Sequence, residues 1–542
     1  MGKISNFVLP LALLAQPAAA QLAPGVSEAK LADSRYRILK TAEALGTAVY
    51  EDYPVYAQPE AAAAPGRPAA APAVKGFQLL PPPPPPEPEP AGQDNSMPLG
   101  NKLGYLRIAW HAVCAQLQDS GVLFWQDKAP SFEEISAGAE AAARKSAFAP
   151  RKAGQASLLK DEGFIRELEA LSGAKFLEGN SAEPLINGPA AFAVKDRLIR
   201  EARRSVYVAS YAFYDDVTGA EAAAMLIERR QAGVDVKVMV DEKMAGVFGG
   251  ALLKRMEAAG IAVLRYSDAD RPHDYLHVKM LVVDDAAAVI GGMNYGDPYS
   301  HKGNGLKWRD TDVFYAGPAA AESARVFAAL WNACVKDARL KIAPPAENPA
   351  PAGQARIAVV PQNPPGLTPP LLTSLLKAMA GATQRINIEN AYIIAIPAVN
   401  RAVLEARERG VEVNILTNSK ESIDSDGKSM ADTIVEGTKV FAKAGANVYL
   451  KQGETLHSKF LTVDGVFASV GSYNLHPRSE RYDTECNVNI LDADAARKLD
   501  EAFARDLAEA KHMTLQDLQA GKPGWLSRLL AKVGFGQLSH KL

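Results

Sequence analysis

From about Gly179 onward the apolar positions of the chain follow two alternating rhythms. Over Ala190–Arg204 and Ala220–Ala232 they recur at the spacing that lines one face of a helix. Over Ser205–Tyr211, Val234–Val240 and Ile261–Tyr266 they form short, largely apolar runs, which predict strands. Gly233 ends one helix and Gly260 another, where a left-handed cap favours glycine. Helices and strands alternating at this length predict an α/β sandwich around a mostly parallel central sheet. Two further apolar runs, Met280–Val283 and Phe460–Val463, read as buried strands.

The layout occurs twice. Arg385–Ala391 matches Ser205–Tyr211 at an offset of 180 residues (385 − 205). Glu405–Val413 repeats the helix end at Gly233, and Ala444–Val448 repeats Ala259–Val263. This is a duplication of a whole fold, joined through Ala343–Pro370, a stretch rich in Pro, Ala and Gly. The two copies are expected to pack with pseudo-twofold symmetry around one cleft.

Each copy carries the same polar constellation. The first reads His277, Lys279, Asp284, then Gly291-Gly292 and Asn294; the second reads His457, Lys459, Asp464, then Gly471-Ser472 and Asn474. Spacing within the two copies is identical, and they too stand 180 residues apart (457 − 277). A lone His-x-Lys is chance; two complete copies at a domain-sized interval are not. Residues two apart on a strand share a face, so each His projects with its Lys. That pairing suits phosphate: an ammonium binds the anion while an imidazole attacks or donates a proton. Two facing pairs allow one His to form a phosphohistidine and the other to protonate the leaving alcohol and then activate the acceptor. Lys279, Lys459, Asn294, Asn474 and Ser472 are expected to hold the phosphoryl oxygens as charge builds. No metal or other cofactor is required, because cationic side chains supply the electrostatics.

The double motif resembles the phospholipase D superfamily, the HKD enzymes. Its flanks, Gly291–Asn294 with Trp308-Arg-Asp310-Thr and Gly471–Asn474 with Leu-His-Pro-Arg478-Ser479, are similar to those of bacterial cardiolipin synthases and related phosphatidyltransferases, as is Leu416–Ser419. The resemblance spans roughly Gly179 to Ala510. It implies two phospholipase D-like α/β/α sandwich domains, over residues 178–345 and 346–515, acting as one enzyme on glycerophospholipids. It further implies a carboxylate that orients each histidine: Glu485 in the second repeat and Asp310 in the first, with Asp312 as the alternative. Such an acid fixes the imidazole tautomer and steadies the imidazolium. The family often has Asn two residues before that acid, where this chain has Asp483. Asp284 and Asp464 complete the catalytic signature, yet each lies at the far end of its strand from its His, which reads as structural more often than catalytic. Family tendency alone favours His277 as the nucleophile.

The remaining chain adds context. Lys3, the apolar Phe7–Leu14 and Ala18–Ala20 read as a secretory signal cut after Ala20, which places the enzyme in the periplasm or outside the cell. Residues 21–98 read as an Ala/Pro-rich linker, with one candidate helix over Ser27–Tyr50 and a stiff spacer at Pro81–Pro86. Residues 99–177 read as helical and carry no chemistry, lone His111 included. The tail, 516–542, has an apolar face of Trp525, Leu526, Leu529, Leu530 and Val533, which suits a bilayer interface and a docked helix equally. His273, His301 and His476 stand near the motifs, with a bland surface role favoured for each. Cys114, Cys334 and Cys486 are an odd set whose default state is free thiols. With 60 Lys+Arg against 62 Asp+Glu, the net charge of −2 gives no support to bulk nucleic-acid binding. The expected partner is a phospholipid at a membrane surface, with no specific protein partner and a monomer that is internally pseudo-dimeric. A nuclease of the same fold is the alternative.

Overall fold

A computed structural model of the chain describes residues 130–268, 274–303, 305–363, 366–394, 396–424 and 431–520. The signal, linker and most of the tail lie outside these residues, as do His111, Cys114 and His273.

The first described helix, α1 (Phe132–Arg144), starts where Ser131 caps the backbone N–H of Glu134 and the Glu134 carboxylate reaches back to Ser131. Helix α2 (Glu162–Ser172) begins at Asp161, whose side chain accepts from Gly163 and Phe164, and stops at left-handed Gly173. The first repeat follows as β1 (Leu177–Ile186), α3 (Asn187–Glu201), β2 (Ser205–Ser210), α4 (Val217–Gln231) and β3 (Asp235–Asp241). It continues through α5 (Glu242–Phe248), α6 (Gly250–Ala258), β4 (Ala262–Tyr266), β5 (Met280–Val283) and β6 (Ala287–Gly291). After α7 (Asp297–Ser300) and β7 (Trp308–Arg309), it closes with β8 (Thr311–Ala316) and α8 (Pro318–Cys334). The second repeat runs β9 (Ala355–Gln362), α9 (Pro370–Ala380), β10 (Arg385–Asn390), α10 (Pro397–Glu408), β11 (Glu412–Asn418), α11 (Ala431–Lys443) and β12 (Asn447–Lys451). It ends with β13 (Thr455–Leu456), β14 (Lys459–Val463), β15 (Phe467–Gly471), α12 (Pro477–Arg481), β16 (Glu485–Leu491), α13 (Ala493–Ala508), β17 (Ala510–Met513) and α14 (Leu515–Ala520).

Fifteen strands form one sheet, in the order β17-β12-β11-β10-β14-β15-β16-β9-β1-β8-β6-β5-β2-β3-β4. Apart from edge strand β17, the order is a palindrome about the β9–β1 junction, where Leu177 faces Ile357 and Asn180 faces Ala355. The expected pseudo-twofold axis passes through that junction. The expectation of a mostly parallel sheet is corrected. Only β2-β3-β4 and β10-β11-β12 run parallel; every other pairing in the large sheet is antiparallel. The helix-linked strands set the parallel part, whereas β5–β6 and β14–β15 are joined by tight turns, which can connect only antiparallel neighbours.

Part of the helical segment expected over residues 99–177 lies within the described residues. Its described part packs on the second repeat: Phe132, Ala139, Phe164, Ile165 and Leu168 share one core with Leu371, Leu375 and Met379 of α9. Lys377 is fully buried there, 2.5 Å from Glu167 and 4.5 Å above the Phe164 ring. Gly233 and Gly260 hold the left-handed φ expected of them, +88° and +82°.

Candidate active site

The two His–Lys pairs sit where strands of opposite repeats meet. His277 precedes β5 and His457 precedes β14. The His277 N–H donates to the Thr484 carbonyl (2.9 Å), and the His457 N–H donates to the Arg309 carbonyl (2.7 Å). Each histidine is thereby fastened to the residue that precedes an acid of the other repeat. One residue upstream, the Leu276 N–H donates to Asp241 (3.0 Å) and the Leu456 N–H to Asn418 (2.9 Å), at the ends of β3 and β11. The short parallel pair β7–β13 and the Leu276–Thr484 bridge complete this seam.

The acids cross over. His277 Nδ1 lies 2.9 Å from both Glu485 oxygens, and His457 Nδ1 lies 2.7 Å from Asp310 Oδ2. Both carboxylates are fully buried. With Nδ1–H committed to a carboxylate, each imidazole keeps Nε2 for chemistry. Asp310 is thus the acid of the first repeat; Asp312 instead pairs with Lys195 at 2.7 Å. A Cβ on Gly292 would fall 2.1 Å from Asp310 Oδ1, so only glycine admits the shorter acid there. The second repeat has Ser472 at that place, and its hydroxyl donates to Glu485 at 2.5 Å, as Ser479 does at 2.7 Å.

Lysines complete the cluster. Lys279 donates to the His277 carbonyl at 2.5 Å and lies 5.0 Å above the Tyr211 ring; Lys459 donates to the His457 carbonyl and lies 6.0 Å above Tyr392. Tyr211 stands edge-on to His277 at 5.2 Å. His457 is boxed by Trp308 and Tyr299, each at 5.2 Å, and by Tyr392 at 6.2 Å.

Burial dominates the electrostatics. It lowers His277 well below the ordinary histidine range, with Lys279, Lys459, His457 and Arg478 adding to the effect. Burial and Lys459 lower His457, while Asp310 opposes them. The lysine ammonium groups are brought down by burial to about 7 at Lys279 and about 8 at Lys459. For the acids, burial raises Glu485. Burial also presses Asp310 upward, but His457 and Lys459 outweigh it and hold that carboxyl below its usual range. The two halves therefore differ: Asp310 is the firmly ionised acid, and Glu485 is the one whose charge is spread over hydroxyls.

The remaining motif residues have contacts of their own, some expected and some not. Asp284 and Asp464 lie at the opposite ends of β5 and β14 and hold backbone. Asp284 accepts from the N–H groups of Arg203, Arg204 and Ser205, and Asp464 from those of Thr383, Gln384 and Arg385. Both have a left-handed φ of +53°, which suits a tight turn. Ser472 serves Glu485 and is not a free phosphate donor. Asn294 accepts from Ala212 N–H (3.2 Å) and donates to Tyr299 Oη (2.9 Å), which makes it a brace behind the His457 box. Asn474 is buried, and its Oδ1 has no protein partner. Asp483 is buried 3.0 Å from Arg478, which lies 4.0 Å above the Tyr275 ring; burial pushes Asp483 up to about 7 against the pull of Arg478. His476 is not a surface residue: it is buried, accepts from Ser479 N–H at 3.2 Å, and burial lowers it to about 3. His301 accepts no site role and contacts the Trp308 carbonyl at 2.8 Å. Cys486 is a free, buried thiol and Cys334 a free, half-buried one. Among the described residues no group of three or more His, Cys, Asp and Glu is placed to hold a metal ion. Sequence reasoning passed over Arg309, Tyr211, Tyr299, Trp308 and Tyr392 as site residues. Position was the signal for four of them: Trp308 and Arg309 stand beside Asp310, and Tyr211 and Tyr392 lie one and two residues past the equivalent strands β2 and β10.

Two histidines, two lysines and two crossed acids meet in one buried seam, the set of groups that phosphodiester transfer or cleavage calls for. Comparison with known proteins agrees. The model of the family described as "Cardiolipin synthase, PLD-like domain" matches twice, over residues 196–331 and 375–507. The chain is 27% identical over 366 residues to cardiolipin synthase A of Pseudomonas syringae pv. syringae, covering 65% of this chain and 74% of that protein. It is likewise 27% identical over 378 residues to the major cardiolipin synthase of Bacillus subtilis, covering 66% and 77%. The crystal structure of phosphatidylserine synthase from Haemophilus influenzae Rd KW20 shares the fold, with a TM-score of 0.56 at 16% identity over 69% of this chain and 98% of that one. The chain belongs to the phospholipase D superfamily and is a phospholipase D-type enzyme, similar to cardiolipin synthases.

Proposed function

We propose that the protein is a phosphatidyltransferase acting on glycerophospholipids through a phosphohistidine. The observation that carries this is the crossed pairing of each imidazole with a carboxylate of the other repeat, beside two lysines. Nε2 of His277 attacks phosphorus as the bond to the head-group oxygen breaks, and His457 gives that oxygen its proton. An incoming alcohol then surrenders its proton to His457 and attacks phosphorus, which releases His277. Lys279 and Lys459 hold the charge that builds on the phosphoryl oxygens.

The asymmetry of the acids supports this division. Ionised Asp310 favours an imidazolium at His457, while His277 is held neutral and nucleophilic. An entering phosphodiester anion raises both imidazoles, and His457, beside the firmer charge, takes the proton first. Little of either imidazole reaches solvent: 12% of the His277 side chain and 7% of the His457 side chain are exposed. That seclusion supports transfer to an alcohol over transfer to water. Phosphatidylglycerol or another lipid as acceptor yields a cardiolipin-like product; water yields phosphatidic acid. The apolar Phe7–Leu14 and Ala18–Ala20 support action outside the cytoplasm, at a membrane surface.

The test incubates the protein with phosphatidylglycerol vesicles and, separately, with single-stranded DNA, and reads products by mass spectrometry. A cardiolipin or phosphatidic acid product is expected, with a phosphatidyl adduct on His277 captured by rapid denaturing quench of the unaltered protein during turnover. DNA cleavage with untouched lipid would overturn the substrate; an adduct on His457 would reverse the two histidines.

A further inference from the structure

We propose that Arg309 is a positioning residue for His457: a clamp that sets the Asp310–His457 contact from helix α13 of the second repeat. The inference rests on the reading of His457 as general acid and base. Arg309 is buried and reaches in three directions. Its carbonyl accepts the N–H groups of His457 (2.7 Å) and Ser458 (3.2 Å). Its Nη1 donates to the Asp310 carbonyl (2.7 Å) and to Thr311 Oγ1 (2.8 Å). Its Nε lies 2.9 Å from each oxygen of Asp506 on α13, and its Nη2 lies 2.7 Å from Asp506 and 3.4 Å from Glu389 on β10. The backbone carbonyl of Arg309 thus holds the general acid, while its planar fork joins the backbone of the acid's carboxylate to the second repeat. A lysine presents its three donors from a single atom and cannot span the same partners.

The equivalent position in the other half shows what the arginine adds. There Thr484 precedes Glu485; its carbonyl accepts the His277 N–H at 2.9 Å, and its hydroxyl meets only Tyr266 Oη at 3.4 Å. Among the described residues Thr484 has no side-chain contact with a charged group; the charged pair on that side is Arg478–Asp483, at 3.0 Å. The residue before the acid is a charged clamp in the half that must move a proton and a threonine in the half that must attack. The charged groups that face His457 are Asp310, Lys459, Lys279 and His277, with Asp506 and Glu389 acting on it through Arg309.

The test uses the full chain with two substrates: phosphatidylglycerol vesicles, and a phosphatidyl-p-nitrophenol ester whose leaving phenolate departs without a proton. Arg309→Lys is expected to lower turnover of phosphatidylglycerol about 100-fold, the scale of a misplaced catalytic group. KM should stay within a few-fold, and the limb of the kcat–pH profile due to His457 should move. First-turnover release of p-nitrophenol should fall only a few-fold, because the clamp acts through the proton donor. Asp506→Asn, which leaves Arg309 in place, is expected to show the same pattern more weakly, and it carries the test alone should Arg309→Lys not fold. Equal losses on both substrates, or an unmoved pH profile in both variants, would overturn the clamp. His457→Ala separates the two readings: if p-nitrophenol release fails in it as badly as lipid turnover, the assignment of His457 is what is wrong.

Discussion

The crossed acids make unequal contributions, and Asp310→Asn against Glu485→Gln measures the difference. Each substitution keeps the side-chain shape and removes the charge. Asp310 lies 2.7 Å from His457 Nδ1, is fully buried, and is held ionised by His457 and Lys459 against the pull of burial. Two unit charges 4 Å apart interact by about 4 kcal/mol at an effective dielectric constant near 20. Losing that support for the imidazolium is worth roughly 1,000-fold in rate, and a donor amide at Nδ1 adds a penalty by favouring the wrong tautomer. Glu485 is raised by burial, and Ser472 and Ser479 share its charge. Removing a group already drawn toward neutrality should cost about 1–2 kcal/mol, roughly 10-fold. The assay is kcat and KM for lipid transfer at several pH values, with folding checked by thermal melting. The Asp310 variant should lose at least 10 times more kcat than the Glu485 variant, with KM little changed in both. Equal losses, or a larger loss at Glu485, would refute the assignment of unequal roles.

Substrate affinity should weaken as pH rises through about 7 to 8, where Lys279 and Lys459 lose their protons; the charge that holds phosphate is present below those values and gone above them. A KM unchanged up to pH 10 would remove the lysines from phosphate binding. Glu167→Ala leaves Lys377 buried without its carboxylate and should destabilise the fold by about 3 kcal/mol in urea unfolding, less whatever solvent recovers at the partly exposed Glu167 site. A change below 0.5 kcal/mol would mean the helical layer is not anchored there. Asp464→Ala removes the acceptor for three backbone N–H groups, so it should cost about 2–3 kcal/mol of stability and leave the pH dependence of turnover unchanged. A shifted pH profile without loss of stability would return Asp464 to the catalytic set.

Local pattern and repetition were enough to establish the duplication, the strands that follow His277 and His457, the glycine stops at Gly233 and Gly260, and the crowding of two His–Lys pairs into one site. These depend on side-chain periodicity and on turns, which are properties of neighbouring residues. The placement of Asp284 and Asp464 far from the histidines was legible for the same reason, because a whole strand lies between each His and its Asp. Pairing between distant segments was not legible. Asp310 serves His457 across 147 residues, and Glu485 serves His277 across 208. No spacing rule says that an acid will serve the other repeat and not its own; the β9–β1 junction decides it by turning the two halves face to face. Ser472 reads as a phosphate donor because it lacks the Gly-x-Ser-x-Gly context of a nucleophile, and only packing shows Glu485 beside it. Likewise, apolar periodicity in α1 and α2 announces a buried face without naming what covers it. Tertiary structure lays those helices on the second repeat, where Leu371, Leu375 and Met379 offer the matching apolar surface.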